Sequence, residues 1–334
     1  MFFLSRPRRF GKSLLLSTLE AYFEGKKELF AGLAIEQLEK DWKQYPVLHL
    51  DLNTQEYNSV DSLKEKLNIA LTEWEKDCGV EPAEKSLATR FEGIIKRTSR
   101  KMGQRVVILI DEYDKPMLQA IGRPELQEAY RSLLKSFYGA LKSADGYIRF
   151  AMLTGVTKFS KVSVFSDLNN LEDISFRRNY NELCGISEQE LQDNLGDELP
   201  EFSRSLGLTE PELCDKLRRY YDGYHFAPDT AGIYNPFSLL HTFKNREFGS
   251  YWFATGTPSY LVELLKRNHY DLDRLAHEEF DVEMFGGVES FDSDLFSAFY
   301  QNGYLTIKGY DPCFRISQLG FPNLEIEKGI AGLL

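Results

Sequence analysis

The 334-residue sequence has few of the residues that build zinc sites or disulfide frameworks. It contains only four cysteines and five histidines. The cysteines lie far apart and form no Cys-x-x-Cys pair; they are Cys78, Cys184, Cys214 and Cys313. Zinc sites and disulfide scaffolds need closely spaced cysteine or histidine ligands. We therefore expect neither, and we expect reduced cysteines in a cytoplasmic protein.

The sequence also lacks long hydrophobic runs. No apolar stretch approaches the roughly 20 residues that cross a bilayer. The first residues, Met1 to Arg6, do not form a basic segment followed by a long apolar one, so they do not resemble a signal peptide. We expect no contact with a membrane.

Positive charge is scarce overall, since 40 Lys and Arg face 51 Asp and Glu, for a net charge of −11. The balance differs along the chain: residues 1–185 carry 28 basic and 26 acidic side chains, 186–250 carry 6 and 12, and 251–334 carry 6 and 13. This acidity opposes nucleic-acid binding by the whole surface. The asymmetry favours separate domains with boundaries near 185 and 250.

Strand-like and helix-like segments alternate in the N-terminal part. Apolar β-rich runs at 2–4, 46–51, 106–110 and 148–153 predict strands, and helical periodicity predicts helices over 13–23, 59–77, 84–102 and 124–141. Strands separated by helices predict a parallel sheet covered by helices, which is an α/β domain over 1–185.

The C-terminal part has a different pattern. Residues 180–185 could form a last strand, and Ser187 to Glu190 is a capping-box pattern that opens a helical lid over 186–250. Asn235-Pro236 and Thr257-Pro258 predict two further helix starts. A helix over 295–300 and a hairpin over 304–316 predict a winged-helix-like region within 251–334.

A phosphate-binding pattern lies near the start of the chain. Gly11-Lys12-Ser13 follows the first predicted strand and precedes a helix, although Arg6 stands where the first glycine of a P-loop usually lies. Backbone N–H groups of such a loop surround phosphates, the lysine binds the β- and γ-phosphates, and the hydroxyl binds Mg²⁺. We therefore predict contacts to ATP from Arg8, Arg9, Phe10, Gly11, Lys12, Ser13 and Leu14.

Two further strands end in polar residues suited to the same chemistry. Asp111 follows the strand at 106–110 and could hold Mg²⁺ together with Ser13, while Glu112 could activate the attacking water. Thr154 ends the strand at 148–153 and could contact the γ-phosphate. Alternatively, these are ordinary solvated strand ends.

Several strings together resemble one family, the bacterial AAA-ATPase-like proteins. They are Arg6-Pro-Arg-Arg-Phe-Gly-Lys-Ser13, Ile110-Asp-Glu-Tyr-Asp-Lys115, Leu153-Thr-Gly-Val-Thr-Lys-Phe-Ser-Lys-Val162 with Asn169-Asn170-Leu171, Tyr221-Asp-Gly-Tyr224 and Tyr234-Asn-Pro-Phe237. The resemblance implies a core similar to AAA+ and STAND NTPases, with ATP and Mg²⁺ as ligands and ATP hydrolysis as the activity. In that family the Arg-rich loop replaces the first P-loop glycine.

The sequence departs from that family at both ends. The P-loop strand begins at Met1, and the chain ends at Leu334, shortly after Gly320-Phe321-Pro322-Asn323, which looks like the entry to a C-terminal nuclease-like domain of the PD-(D/E)XK type. We therefore expect a fragment whose DNA contacts, if any, belong to that further domain. A homo-oligomer or a protein partner is also expected.

The expected function is a Mg²⁺-dependent ATPase that acts as a conformational switch for an effector. The alternatives are a nucleotide-gated interaction module with little hydrolysis and the regulatory part of a nuclease.

Three groups of arginines could take part in this function. Arg6, Arg8 and Arg9 could contact phosphate or form a basic patch. Arg177 and Arg178 are candidates for an arginine finger, and Arg218 and Arg219 could be lid sensors or solvated residues. Asp222-Gly223 predicts a tight hairpin turn between aromatic residues. Its place in the family-like string alternatively indicates a lid contact.

Overall fold

The computed structural model describes residues 1–159, 165, 168, 170–256, 279–281, 295–314 and 316–332, with the backbone alone for 279–281. The predicted helix start at Thr257-Pro258 and the motif residues Ser160 to Val162 and Asn169 lie outside the described residues. The chain divides into two compact units. The first comprises Met1–Leu4, Lys12–Gly155 and Phe159–Asp173, and the second comprises Ser5–Gly11, Val156–Lys158 and Ile174–Leu334.

A five-stranded parallel sheet forms the centre of the first unit. Its strands are β1 (Phe2–Ser5), β2 (Val47–Asp51), β3 (Val106–Asp111), β4 (Ile148–Gly155) and β5 (Glu172–Asp173). The spatial order is β2-β3-β4-β1-β5, so β4 lies between β1 and β3. The predicted α/β class is confirmed.

Six α-helices accompany this sheet in the described part of the first unit. They are α1 (Lys12–Phe23), α2 (Ala34–Leu38), α3 (Val60–Cys78), α4 (Leu87–Met102), α5 (Lys115–Gln119) and α6 (Pro124–Ser143). Ser59 and Ser86 cap α3 and α4, each in a reciprocal capping box. All six residues of β3 are buried, as expected for a strand covered on both faces.

The second unit is mainly helical in its described part. Its helices are α7 (Glu188–Leu195), α8 (Leu199–Ser205), α9 (Glu210–Tyr221), α10 (Pro236–Asn245), α11 (Tyr251–Gly256), α12 (Leu295–Gln301) and α13 (Leu324–Ala331). The predicted capping box opens α7, where the Ser187 side chain accepts from the Glu190 N–H, and Asn235 caps α10 as predicted.

A small antiparallel sheet follows in the second unit. It contains β6 (Glu279–Asp281), β7 (Thr306–Asp311) and β8 (Ile316–Gly320), in the order β6-β8-β7. Helix α12 followed by the β7–β8 hairpin has the element order that predicts a winged-helix-like region. The three-part domain division stays a prediction.

Two local predictions are wrong. Residues 180–185 form no strand, because carbonyl groups in this segment accept hydrogen bonds from the Arg6 side chain instead of a neighbouring strand; the last strand of the parallel sheet is β5. Asp222-Gly223 is not a two-residue hairpin turn. Asp222 is the C-terminal cap of α9. Tyr224, two residues later, pairs with Ile233 in an isolated β-bridge.

Within the described ranges, no helix combines the length and the apolar character that a membrane span requires.

Helix α13 carries a buried carboxyl in its first turn. Glu325 is 1% exposed. One of its oxygens, Oε1, accepts hydrogen bonds from the Trp252 N–H at 2.8 Å, the Phe253 N–H at 3.3 Å and the Ser238 hydroxyl at 3.0 Å. Burial raises the pKa of Glu325 to about 7, although these hydrogen bonds act in the opposite direction. The folded state therefore favours a protonated carboxyl.

We predict that Glu325→Gln stabilises the protein at pH 8 but hardly at pH 4.5. Between pH 4.5 and 7 the folded state keeps a proton that the unfolded state releases, so stability falls as the pH rises through this range. The shift corresponds to about 3 kcal/mol above pH 7, which the neutral amide avoids. The measurement is thermal unfolding of both proteins at several pH values. The exposed neighbour Glu327→Gln should leave the profile unchanged, and a parallel profile for the Glu325 variant would contradict the prediction.

Candidate functional site

The loop between β1 and α1 has the backbone geometry of an anion-binding loop. Arg9 adopts a φ of 65° and Gly11 a φ of 94°. A Cβ at Gly11 would meet no described atom within 4 Å, so the positive φ rather than lack of space favours glycine there. Alternation of left- and right-handed residues turns successive N–H groups toward one concavity, and the N-terminus of α1 follows directly.

Arg6 is a structural residue that anchors this loop inside the second unit. It is 1% exposed. Its guanidinium donates hydrogen bonds of 2.6–3.0 Å to the carbonyl oxygens of Ser5, Ser175, Tyr180 and Leu183. The ring of Phe226 lies 4.0 Å from the guanidinium carbon. Arg6 is therefore not part of an exposed basic patch. The N–H groups of its guanidinium donate to these carbonyl oxygens and not to phosphate.

The rest of the loop also packs within the second unit. Phe10 is buried and meets Tyr224 and Phe226 edge-on, with centroid distances of 4.9 and 5.5 Å. The carbonyl oxygen of Arg8 accepts a hydrogen bond from the Trp252 indole at 2.8 Å. The Phe10 side chain is thus buried against these rings. A contact between Phe10 and a ligand would therefore have to come from its backbone N–H.

Lys12 and Glu112 form an ion pair in the first unit. The Lys12 ammonium lies 3.4 Å from Glu112 Oε1, and the two side chains are 3% and 19% exposed. Glu112 has a left-handed φ of 52°, which is uncommon for a residue with a long side chain. Such strain is often found at functional sites. The ion pair places the predicted phosphate-binding lysine beside the predicted water-activating carboxylate.

Asp111 and Thr154 are held together at the ends of β3 and β4. Asp111 Oδ1 accepts hydrogen bonds from the Thr154 hydroxyl at 2.6 Å and from the Glu112 N–H at 3.0 Å. The Tyr113 N–H donates to the Thr154 carbonyl at 3.0 Å. These bonds fix the orientation of the Asp111 carboxylate.

The glycine after Thr154 permits this close approach of the two strand ends. A Cβ at Gly155 would lie 2.6 Å from Asp114 Oδ1 and 2.7 Å from the Tyr113 ring. A larger residue would therefore push the segment after β3 away from the end of β4.

The other predicted site residues differ in exposure. Ser13 and Leu14 lie in the first turn of α1 with exposed side chains, Leu14 being 71% exposed. Arg8 is half-buried and Arg9 is exposed. Among the residues of the first unit, the structure brings together Lys12, Asp111, Glu112 and Thr154, while the loop residues Arg8 to Gly11 lie in the second unit.

Two of the arginines predicted as a finger or a lid sensor, Arg178 and Arg218, make surface ion pairs. Arg178 pairs with Asp229 at 2.8 Å, with both side chains about 60% exposed. Arg218 pairs with Asp215 at 2.8 Å and with Glu188 at 3.4 Å. These contacts favour the interpretation of Arg218 as a solvated helix residue.

Two residues hold the loop in ways that its motif does not predict. Arg6 is buried instead of contacting phosphate or lying in a basic patch, and Trp252 donates to the loop from outside every motif. Nothing in the sequence connects Trp252 with Arg8, 244 positions away.

Metal ligands are few around this site. In the part of the chain that the structure describes, no three His, Cys, Asp or Glu side chains gather into a metal site. Mg²⁺ at nucleotide sites usually takes one or two protein ligands together with phosphate oxygens and water. One oriented carboxylate, Asp111, and one exposed hydroxyl, Ser13, fit that requirement.

The sheet and the motif at the start of α1 define a P-loop NTPase-like α/β fold. The model of the predicted AAA-ATPase family matches residues 1–165. This match, which covers just under half of the chain, confirms the resemblance inferred from the motifs. The family supports a general ATPase-like, nucleotide-binding nature.

A similar protein is known from Azotobacter chroococcum mcd 1, described as an uncharacterized protein in the vnfD 5' region. The two sequences are 38% identical over 335 residues, which is 98% of this chain and 62% of the relative. The chain thus spans about three fifths of the relative's length.

We predict that Arg6→Lys lowers the free energy of unfolding by about 2–4 kcal/mol, because one ammonium cannot satisfy four buried or half-buried carbonyl groups in different directions. Chemical denaturation measures the change. Arg9→Lys, at an exposed loop position, serves as the matched control and should change stability by less than about 0.5 kcal/mol. Equal stability of the two variants would contradict the anchoring role.

Proposed function

We propose that this protein binds ATP with Mg²⁺ and hydrolyses it, and that the hydrolysis cycle switches its conformation. The proposal is supported above all by the convergence of Lys12, Asp111, Glu112 and Thr154 in the first unit. A lysine at a helix start, a fixed carboxylate and a second carboxylate are the groups that phosphoryl transfer to water requires.

Each residue has one role in this proposal. Lys12 and the N–H groups around Gly11 bind the β- and γ-phosphates. Ser13 and Asp111 hold Mg²⁺, which when bound offsets the negative charge of the phosphates. The residues Arg8 to Phe10 and Leu14 contribute backbone and side-chain contacts to the nucleotide.

Glu112 orients and deprotonates the attacking water, and Thr154 senses the γ-phosphate. Glu112 supplies the counter-charge that the buried Lys12 ammonium needs. A phosphate would take over that role as a stronger anion. The Glu112 carboxylate would then be released to accept a proton from water.

We further propose that the switch acts on a protein partner, on another copy of the chain, or on an effector domain such as a nuclease-like one. The relative from Azotobacter is longer than the matched segment, so it has sequence in which an effector could lie. A cytoplasmic location belongs to the same proposal.

The first test is binding. We expect Lys12→Ala to weaken ATP binding about 10- to 100-fold, because a charge-assisted contact to phosphate contributes about 1.5–3 kcal/mol. Calorimetric titration with ATP and Mg²⁺ measures this. Lys64→Ala removes an exposed lysine on α3 and should bind like the unmutated protein. If the unmutated protein binds no nucleotide, the proposal fails.

The second test is turnover. We expect Glu112→Gln to reduce ATP hydrolysis at least about 100-fold while ATP binding survives, since the amide cannot accept the proton of the attacking water. Phosphate release measures the rate, and Glu73→Gln on the exposed face of α3 is the control. Unchanged hydrolysis in the Glu112 variant would remove its assigned role. Binding without hydrolysis in the unmutated protein would instead favour a nucleotide-gated interaction module.

A further inference from the structure

The indole of Trp252 touches the phosphate loop at one defined point. Trp252 lies in α11, is 1% exposed, and donates from Nε1 to the carbonyl oxygen of Arg8 at 2.8 Å. Both residues belong to the second unit. A buried indole N–H without an acceptor is costly, so this bond restrains the loop backbone at Arg8.

This bond determines where the next N–H group points. A trans peptide is planar, and its C=O and N–H point in opposite directions. Because the Arg8 carbonyl points at the indole, the Arg9 N–H of the same peptide points away from it. Arg9 is also the first of the two left-handed residues of the loop, whose geometry gathers N–H groups for an anion.

The backbone of Trp252 is held in place by a buried carboxyl, and its ring by packing. Glu325 Oε1 accepts from the Trp252 backbone N–H at 2.8 Å, and the Ser238 hydroxyl contacts both residues at 3.0 Å. The indole also packs on Tyr304, with a centroid distance of 5.2 Å. The backbone and the ring of Trp252 are thus fixed independently, which leaves its N–H little freedom to leave Arg8.

We propose that Trp252 is a positioning residue for the phosphate-binding loop: its indole N–H fixes the Arg8–Arg9 peptide so that the Arg9 N–H is directed at the phosphates of a bound nucleotide. Glu325 supports it by fixing the start of α11. This inference rests on the proposed nucleotide binding but adds a residue that no motif of the sequence contains.

The decisive variant is Trp252→Phe, which keeps an aromatic ring against Tyr304 and removes the N–H. We expect ADP with Mg²⁺ to bind about tenfold more weakly, as measured by calorimetry. We also expect faster amide hydrogen exchange in peptides that cover residues 5–11 of the unliganded protein. Trp74→Phe, in which the replaced ring stacks on Phe91 in the first unit, should change neither quantity.

A second pair of variants separates positioning from general destabilisation. Glu325→Gln retains an oxygen that accepts from the Trp252 N–H, so binding and loop exchange should match the unmutated protein. Glu325→Ala removes it and should reproduce the effects of Trp252→Phe. If Trp252→Phe does not fold, the comparison of these two Glu325 variants still tests the positioning role of Trp252.

The outcomes distinguish this inference from the proposed function. If the unmutated protein binds ADP, and Trp252→Phe binds equally with unchanged loop exchange, the positioning role is overturned. If the unmutated protein binds no nucleotide, the proposed function fails, and unchanged exchange in Trp252→Phe would then overturn the restraint of the loop as well. Equal effects of Glu325→Gln and Glu325→Ala would overturn the supporting role of Glu325.

Discussion

The parallel register of β3 and β4 is the constraint on which the candidate site depends. Ile110 lies opposite Leu153 in the ladder, so the residues that follow, Asp111 and Thr154, emerge side by side at the same edge of the sheet. The 2.6 Å hydrogen bond between their side chains is a direct consequence of this register. Since β4 also neighbours β1, the same edge receives the start of α1 with Lys12. A shift of one residue would turn Thr154 to the other face of the sheet.

The loop between β1 and α1 is subject to a different constraint, because the contacts of Arg6, Arg8 and Phe10 lie within the second unit. The Arg6 guanidinium binds four carbonyl groups there, Phe10 packs on Tyr224 and Phe226, and Arg8 accepts from Trp252. The chain thus leaves the first unit at Ser5 and re-enters it at Lys12. A loop held by many directional contacts keeps its N–H groups oriented before a ligand binds, which lowers the entropic cost of binding.

Much of the fold follows from local patterns, and these were predicted correctly. The apolar run at 106–110 became a fully buried strand because each of its residues suits a strand covered on both faces. The capping-box pattern at Ser187 marked the start of α7, where the serine side chain satisfies a free N–H group. Residues 180–185 failed as a strand because the deciding contact comes from Arg6, which is distant in sequence.

The sequence by itself determined the α/β class and the phosphate-binding motif, and it identified Asp111, Glu112 and Thr154 as polar ends of apolar strands. These are short-range properties, since periodicity, caps and strand ends can be read within a few residues. Only the tertiary structure decided that Lys12 pairs with Glu112, that Arg6 is buried, and that Trp252 holds the Arg8 carbonyl. Such contacts join residues roughly 100 to 250 positions apart, and the geometry that brings them within 4 Å arises from packing inside each unit.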